Sequence, residues 1–281
     1  MPGPGKVPSI TGQPYRLLAC DLDGTILEHN GHISDRVRRA ISLAKERGVQ
    51  IALVTGRSFQ AALPFARLID VHLPLICYQG GLIRHPDTGE TLSQVSLARE
   101  LAEETIELSQ ARGWQLLLYT TDEILLSEYR HPEGVYRQML GPTVRRVEDL
   151  RSVVDGGPIK MTILATEDAS PAIEDEMHKR FGGRMEIIRS HAMFVEALPA
   201  GVSKGRALAW LAEYLDVPQR STMAIGDQDN DASMVAWAGL GIAMGNGSPL
   251  CKSAADWIAP TIEEDGSAAA IERFLLQEPP G

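Results

Sequence analysis

The sequence predicts an α/β protein: a doubly wound parallel sheet, opened midway to hold an inserted α+β domain. Three observations carry this. Short apolar runs alternate with helix-period segments from residue 16 to residue 78, and again from residue 203 onward. Polar clusters follow several of those runs directly, which is where such sheets bind ligands, beyond the carboxyl ends of the strands. Between about residues 82 and 199 the rhythm changes to neighbouring strands with fewer helices.

Residues 16–20, Arg-Leu-Leu-Ala-Cys, read as a buried strand, because a bounded apolar run of this length suits a strand covered on both faces. Ser34 caps a helix running to about residue 47, with Val37, Ile41 and Ala44 on one face and Gly48 as its stop. Residues 49–54 form the next strand, about 58–68 a helix, and 74–78 a third strand. In the middle, 97–112 reads as a helix closed by Gly113, and 114–120 with 123–128 as two strands about a Thr-Asp turn. Residues 159–166 are a strand, 171–181 a helix, and 185–189 with 193–198 a closing hairpin. The alternation then resumes with a helix capped by Ser203 to about 215, a strand at 222–225 and a helix over about 229–238. Strands at 240–244 and 256–258 and a last helix near 267–276 complete it. The expected division is a disordered leader at 1–14, a core of 15–82 and 200–276, and an inserted domain of 83–199.

Composition narrows the function. The 281 residues suffice for two domains, and 44% hydrophobic with 23% charged residues is ordinary for a globular protein. A net charge of -10 disfavours nucleic-acid partners, which need a basic surface. No run approaches the ~18 apolar residues of a membrane span, and the Pro/Gly-rich start lacks the apolar centre of a signal peptide. Cys20, Cys77 and Cys251 are odd in number and far apart, which fits a reducing compartment better than a disulfide framework. The expectation is a cytoplasmic protein without a membrane partner; nothing here sets an oligomeric state.

Four clusters carry chemistry. Asp21-Leu-Asp23-Gly24-Thr25 holds two carboxylates just past a buried strand, a costly arrangement unless a cation or proton is shared. Magnesium takes one or two carboxylates plus phosphate oxygens, and Gly24 permits close backbone approach. Gly226-Asp227-Gln-Asp-Asn230-Asp231 is a second acidic cluster at a strand end. Helix capping would account for Asp229 or Asp231, less well for Asp227, which precedes the helix. Lys204 sits just after the cap Ser203, where a cation opposes the helix dipole unless an anion lies nearby. Thr55-Gly56-Arg57 offers a hydroxyl, an amide and a guanidinium suited to phosphate oxygens.

Together these residues resemble the haloacid dehalogenase (HAD) superfamily of phosphohydrolases, in its Cof-type branch with a large cap inserted late in the core. Asp21 to Thr25 matches the DxDGT motif, Thr55 the second-motif threonine, Lys204 the third-motif lysine, and Gly226 to Asp231 the GDxxND motif. Ala243-Met-Gly-Asn246, Lys252 and Glu264-Asp-Gly266 are similar to the branch's C-terminal pattern. One departure stands out: Gln79-Gly80 occupies the place of the usual Asn-Gly. The resemblance implies a Rossmann-like core and a magnesium-dependent phosphatase acting on small phosphorylated metabolites, sugar or cofactor phosphates. It implies that Asp21 becomes phosphorylated, that Asp23 serves as acid and base, and that Mg2+ is held by Asp21, the Asp23 carbonyl and Asp227. Lys204, Thr55, Gly24, Gly56, Arg57, Gln79, Gly80 and Asn230 are the expected substrate and phosphate contacts, with Asp231 supporting the loop. Lys160, Arg145, Arg146 and Arg189 are basic cap residues that could meet the substrate's organic part. A phosphomutase of the same fold, and a catalytically silent binding protein, are the alternatives.

Overall fold

The computed structural model describes residues 15–141 and 143–277. The expected leader at 1–14 lies outside the described residues.

β1 (Leu17–Cys20) is four buried residues. α1 (Asp35–Glu46) begins at Ser34, whose hydroxyl accepts from the Val37 amide and so satisfies one of the donors a helix start leaves free. Its buried face is Val37, Ala40, Ile41 and Ala44. β2 (Gln50–Leu53) and α2 (Phe59–Leu68) repeat the pattern, with Ser58 as the second cap. β3 (Leu75–Cys77) then turns back through β4 (Leu82–Arg84) and β5 (Thr91–Gln94), a small antiparallel sheet. The insertion continues with α3 (Arg99–Arg112), closed by Gly113 at φ 66, then β6 (Gln115–Tyr119) and β7 (Ile124–Leu126). α4 (Glu133–Leu140), β8 (Val144–Arg146), β9 (Lys160–Leu164), α5 (Ser170–Phe181), β10 (Met185–His191) and β11 (Phe194–Pro199) complete it. The core resumes with α6 (Lys204–Tyr214), β12 (Thr222–Gly226), a 3-10 turn at Asp229–Asp231, and α7 (Ala232–Trp237). β13 (Leu240–Ala243), α8 (Pro249–Ser253), β14 (Trp257–Ile258) and α9 (Gly266–Ile271), which runs on into a π-helical turn, end the described chain.

The central sheet is parallel throughout, in the order β14-β13-β12-β1-β2. The chain leaves β1 to one side for β2 and returns to its other side at β12. β1 is therefore the topological switch point, where open α/β sheets form their crevice. Register aligns the edge: Cys20 stands beside Leu53 and Ile225, so the residues just beyond all three strands emerge together. The two faces of β1 feed separate apolar clusters, Leu18 and Cys20 on one and Leu17 and Ala19 on the other. This is what a strand covered on both sides requires.

The cap is a six-stranded sheet, β10-β11-β9-β6-β7-β8, antiparallel except between β7 and β8. Its β6 residues alternate. Leu116 and Leu118 pack into the cap's own cluster, with Ile106 of α3 and Ile173 of α5, whereas Leu117 and Tyr119 join the cluster shared with the core. That second face roofs the crevice.

The structure differs from the sequence expectation in short elements. The third strand touches the parallel sheet through a single bridge, Val54 to Ile76, and pairs chiefly with β4. The β4–β5 hairpin, α4, β8 and α8 are additional. β5 is Thr-Leu-Ser-Gln and largely unburied, so it carries no apolar alternation to read.

Candidate active site

The crevice edge brings residues separated by up to 222 positions within bonding distance. Asp21 follows β1 and is buried; its backbone amide continues the ladder to Ile225. Lys204 opens α6 and is fully buried. Its ammonium donates to Asp21 Oδ1 at 2.6 Å and to Asp231 Oδ1 at 2.5 Å. Asp227, just past β12, lies in the same group: one carboxylate oxygen from each of Asp21, Asp227 and Asp231 falls within 4.8 Å of the others. The lysine at the helix start thus has its anions, and its place there is favourable rather than costly.

Asp231 is fully engaged. Its second oxygen accepts from the backbone amides of Asp227 and Gln228, both at 3.0 Å, which fixes the turn that presents Asp227. Among the described residues Asp227 accepts from neutral donors, Gln228 Nε2 at 2.8 Å and the Thr25 hydroxyl at 3.4 Å. Gly24, at φ 81, makes this possible: a Cβ there would stand 2.3 Å from Asp227 Oδ2. Gly24's carbonyl is held by Asn246 Nδ2 at 2.9 Å, tying the first motif to the C-terminal segment.

Three carboxylates crowd one ammonium that bonds two of them, and the electrostatics follow. Burial, then the Asp231 charge, push the Asp21 carboxyl well above its usual range, with Lys204 pulling it partly back. Burial and Asp231 likewise raise Asp227 to about 6. Burial alone would lower the Lys204 ammonium, but Asp21 and Asp231 outweigh it and raise it.

The remaining expected residues flank this cluster. Asp23 is on the open side, 55% exposed, and held by both arms of Arg57, at 2.7 and 2.5 Å. Arg57 also lies over the Phe65 ring, 5.1 Å from its centroid. Thr55 is buried beyond β2, its hydroxyl accepting from the Arg57 amide at 3.1 Å. Gln79 is buried and points its amide at Glu196 and Asn230 rather than at Asp21, Asp227 or Asp231. Gly80 turns against the Ser203 carbonyl at the start of α6. Of the basic cap residues, Lys160 is buried on the inner face, paired with Glu196 at 2.6 Å. Arg145 pairs with Glu123 on the outside, Arg146 donates to the Ser127 carbonyl, and Arg189 lies near Glu174.

Sequence reasoning named Thr25 and Gln228 within their motifs without giving either a role, and missed Glu196. Glu196 had a signal: it is a lone acid inside the apolar run Val195-Glu-Ala-Leu198, where an unpartnered charge would be expensive.

A family profile described as haloacid dehalogenase-like hydrolase matches residues 18–271. YxeH of Bacillus subtilis (strain 168) is 31% identical over 270 residues, covering 93% of this chain and 99% of its own. The 5-amino-6-(5-phospho-D-ribitylamino)uracil phosphatase YitU of the same organism is 26% identical over 273 residues, covering 94% and 98%. A solved haloacid dehalogenase-like hydrolase from Bacteroides thetaiotaomicron superposes with a TM-score of 0.82 at 30% identity, covering 92% of this chain and 99% of that one.

Proposed function

The chain belongs to the haloacid dehalogenase-like hydrolases, in their Cof-type branch, and on that premise we propose that it is a Mg2+-dependent phosphatase of small phosphomonoesters that works through a covalent phosphate on Asp21. The observation that carries this is the Lys204 ammonium shared by Asp21 and Asp231, with the Asp227 carboxylate beside them.

The donor set fits a hard dication. Three buried carboxylates against one ammonium leave excess negative charge where water is scarce, and among the described residues Asp227 accepts from neutral donors. An all-oxygen set of this kind suits magnesium. The Asp21 and Asp227 carboxylates and the Asp23 backbone carbonyl would hold it. Asp231, with both oxygens engaged, is left to order the turn. Bound there, the ion supplies charge neutralisation and in-line orientation for the transferring phosphoryl group.

The chain's own residues do the rest. Asp21 attacks phosphorus, which divides one hard displacement into two easier ones. Lys204, the Thr55 hydroxyl, the Gly56 amide and the Asn230 amide hold the phosphoryl oxygens, and positioning of this kind dominates phosphoryl transfer. Asp23 turns from Arg57 toward the leaving oxygen and protonates it, and then takes a proton from the water that attacks phosphorus, breaking the Asp21 O–P bond to free the Asp21 carboxylate and inorganic phosphate. A general acid–base of this sort gives about 10²–10⁴-fold. The insertion of 83–199 acts as the cap over a core of 15–82 and 200–276, excluding bulk water from the crevice. YitU, as named, acts on a phosphorylated ribityl compound; sugar phosphates and cofactor phosphates are the substrate classes proposed here, in the cytoplasm.

The test is phosphate release from a panel of phosphorylated metabolites and from para-nitrophenyl phosphate, with and without Mg2+. Turnover that survives both chelation and Asp21→Asn overturns the assignment.

A further inference from the structure

A buried polar chain runs from the cap to the phosphate loop. At its cap end Lys160 (β9) and Glu196 (β11) form the 2.6 Å ion pair, each about 96% buried. Lys160 also donates to the Gly56 carbonyl at 3.3 Å and lies 4.6 Å from the Tyr119 ring centroid. The other Glu196 oxygen accepts from Gln79 Nε2 at 3.3 Å, and Gln79 Oε1 accepts from Asn230 Nδ2 at 2.8 Å.

This chain has a direction. An ion-paired carboxylate can only accept. Gln79 must therefore turn its NH2 to Glu196 and its carbonyl to Asn230, so Asn230 must show its NH2. Reversing either amide would bring two oxygens into contact. The backbone is shaped to hold this arrangement. Tyr78 and Gln79 are consecutive left-handed residues, φ 50 and φ 60, a conformation side chains other than glycine rarely take. Gly56 leaves the room: a Cβ there would stand 2.4 Å from Gln79 Nε2.

We propose that Gln79 and Glu196 are positioning residues, through which the cap fixes the Asn230 amide so that its nitrogen, and not its oxygen, meets the phosphoryl group. The inference rests on the reading of Asn230 as a phosphoryl ligand. The second hydrogen of Nδ2 is the donor offered to phosphate; in the reversed amide an anionic oxygen would face a carbonyl. Asn230 Oδ1, buried and without a partner among the described residues, is the atom this orientation leaves over. A glutamine at position 79, one methylene longer than the branch's usual asparagine, spans from the loop to the cap.

The experiment measures KM for para-nitrophenyl phosphate, inhibition by inorganic phosphate, and the Mg2+-induced rise in melting temperature. Gln79→Leu is expected to weaken phosphate inhibition and raise KM by about 10-fold, the cost of one misdirected hydrogen bond to a charged group, and Gln79→Glu to do the same because Glu196 repels its carboxylate from the place against Asn230. The metal-induced rise should be unchanged, because the metal-holding carboxylates are intact. In the exchange Gln79→Glu with Glu196→Gln, the new carboxylate again accepts from Asn230, and both constants should return to within about threefold of the parent. A folded double variant no better than its worse single overturns the proposal. So does unchanged phosphate inhibition in Gln79→Leu, which decides alone if the double variant does not fold. Asn230→Ala with unchanged phosphate inhibition would sink the reading of Asn230 itself, and an active Asp21→Asn the reading of the enzyme.

Discussion

Lys204 at the crevice edge and Lys160 in the cap are both buried, both charged partners of carboxylates, and differently balanced. Lys204 faces Asp21 and Asp231 with Asp227 alongside, so the group carries more negative charge than the lysine can cancel. Lys160 faces one carboxylate, one backbone carbonyl and two tyrosine rings, a matched set. A matched buried pair is a structural element whose worth is close to that of an apolar replacement; an unmatched cluster is relieved by taking up a cation or a proton. The imbalance, more than the burial, separates the crevice cluster from the pair that joins cap to core.

The largest effect should come from breaking the unmatched cluster. Asp21→Asn or Lys204→Met is expected to lower phosphate release from para-nitrophenyl phosphate by at least about 10³-fold, since residues that act as a unit fail together. Removing both members of the core pair should restore nothing. In the cap, by contrast, Lys160→Met alone strands Glu196 and should cost about 3–5 kcal/mol in urea unfolding. Lys160→Met with Glu196→Leu should recover most of that stability. If the core double variant also regained turnover, or the cap double variant stayed as unstable as the single, the contrast between the two lysines would fail.

Metal should sharpen the same contrast. Magnesium at about 100 times its dissociation constant is expected to stabilise the protein by about 2.7 kcal/mol, read as a rise in melting temperature. Asp227→Asn should lose that rise and Glu196→Gln should keep it. A pH series on chelated protein adds a sign. Asp21 and Asp227 are both raised in the folded state, Asp227 to about 6, so between the ordinary carboxylate range and that point the folded chain binds more protons than the unfolded one. Stability of the metal-free protein should therefore fall as pH rises toward and through about 6, by up to about 1.4 kcal/mol per unit for each proton involved. Asp227→Asn should flatten the slope; a wild-type slope of opposite sign would refute the cause assigned to these shifts.

The smallest effect is expected outside the crevice. Arg145 pairs with Glu123 in the open, so Arg145→Ala should change stability by less than about 1 kcal/mol and leave KM alone. A KM change there would place the substrate's organic part against the outer cap.

Much of this was written locally. Asp21, Thr55 and Asp227 each follow their strand within two residues, and the alternation of runs and helix periods alone implies that such ends share one edge of a parallel sheet. Lys204 announced itself by standing at a helix start, where only an anion makes a cation welcome. Of the elements that escaped, β4, β5, β8 and α8 are three to five residues long, and β5 is polar as well, so neither period accumulates over their length; α4 has eight residues and buries Tyr136 and Leu140 one turn apart, a helical signal that the reading passed over.

What the sequence determined by itself is therefore the class of sheet and the polar clusters that stand at its strand ends, because each is a statement about near neighbours along the backbone. Tertiary structure alone decided that Asp231 shares the lysine with Asp21, that Arg57 holds Asp23, and that Glu196 reaches Asn230 through Gln79. Those contacts join segments 27 to 183 residues apart, and they depend on strand register and cap docking, which one side chain's identity does not encode.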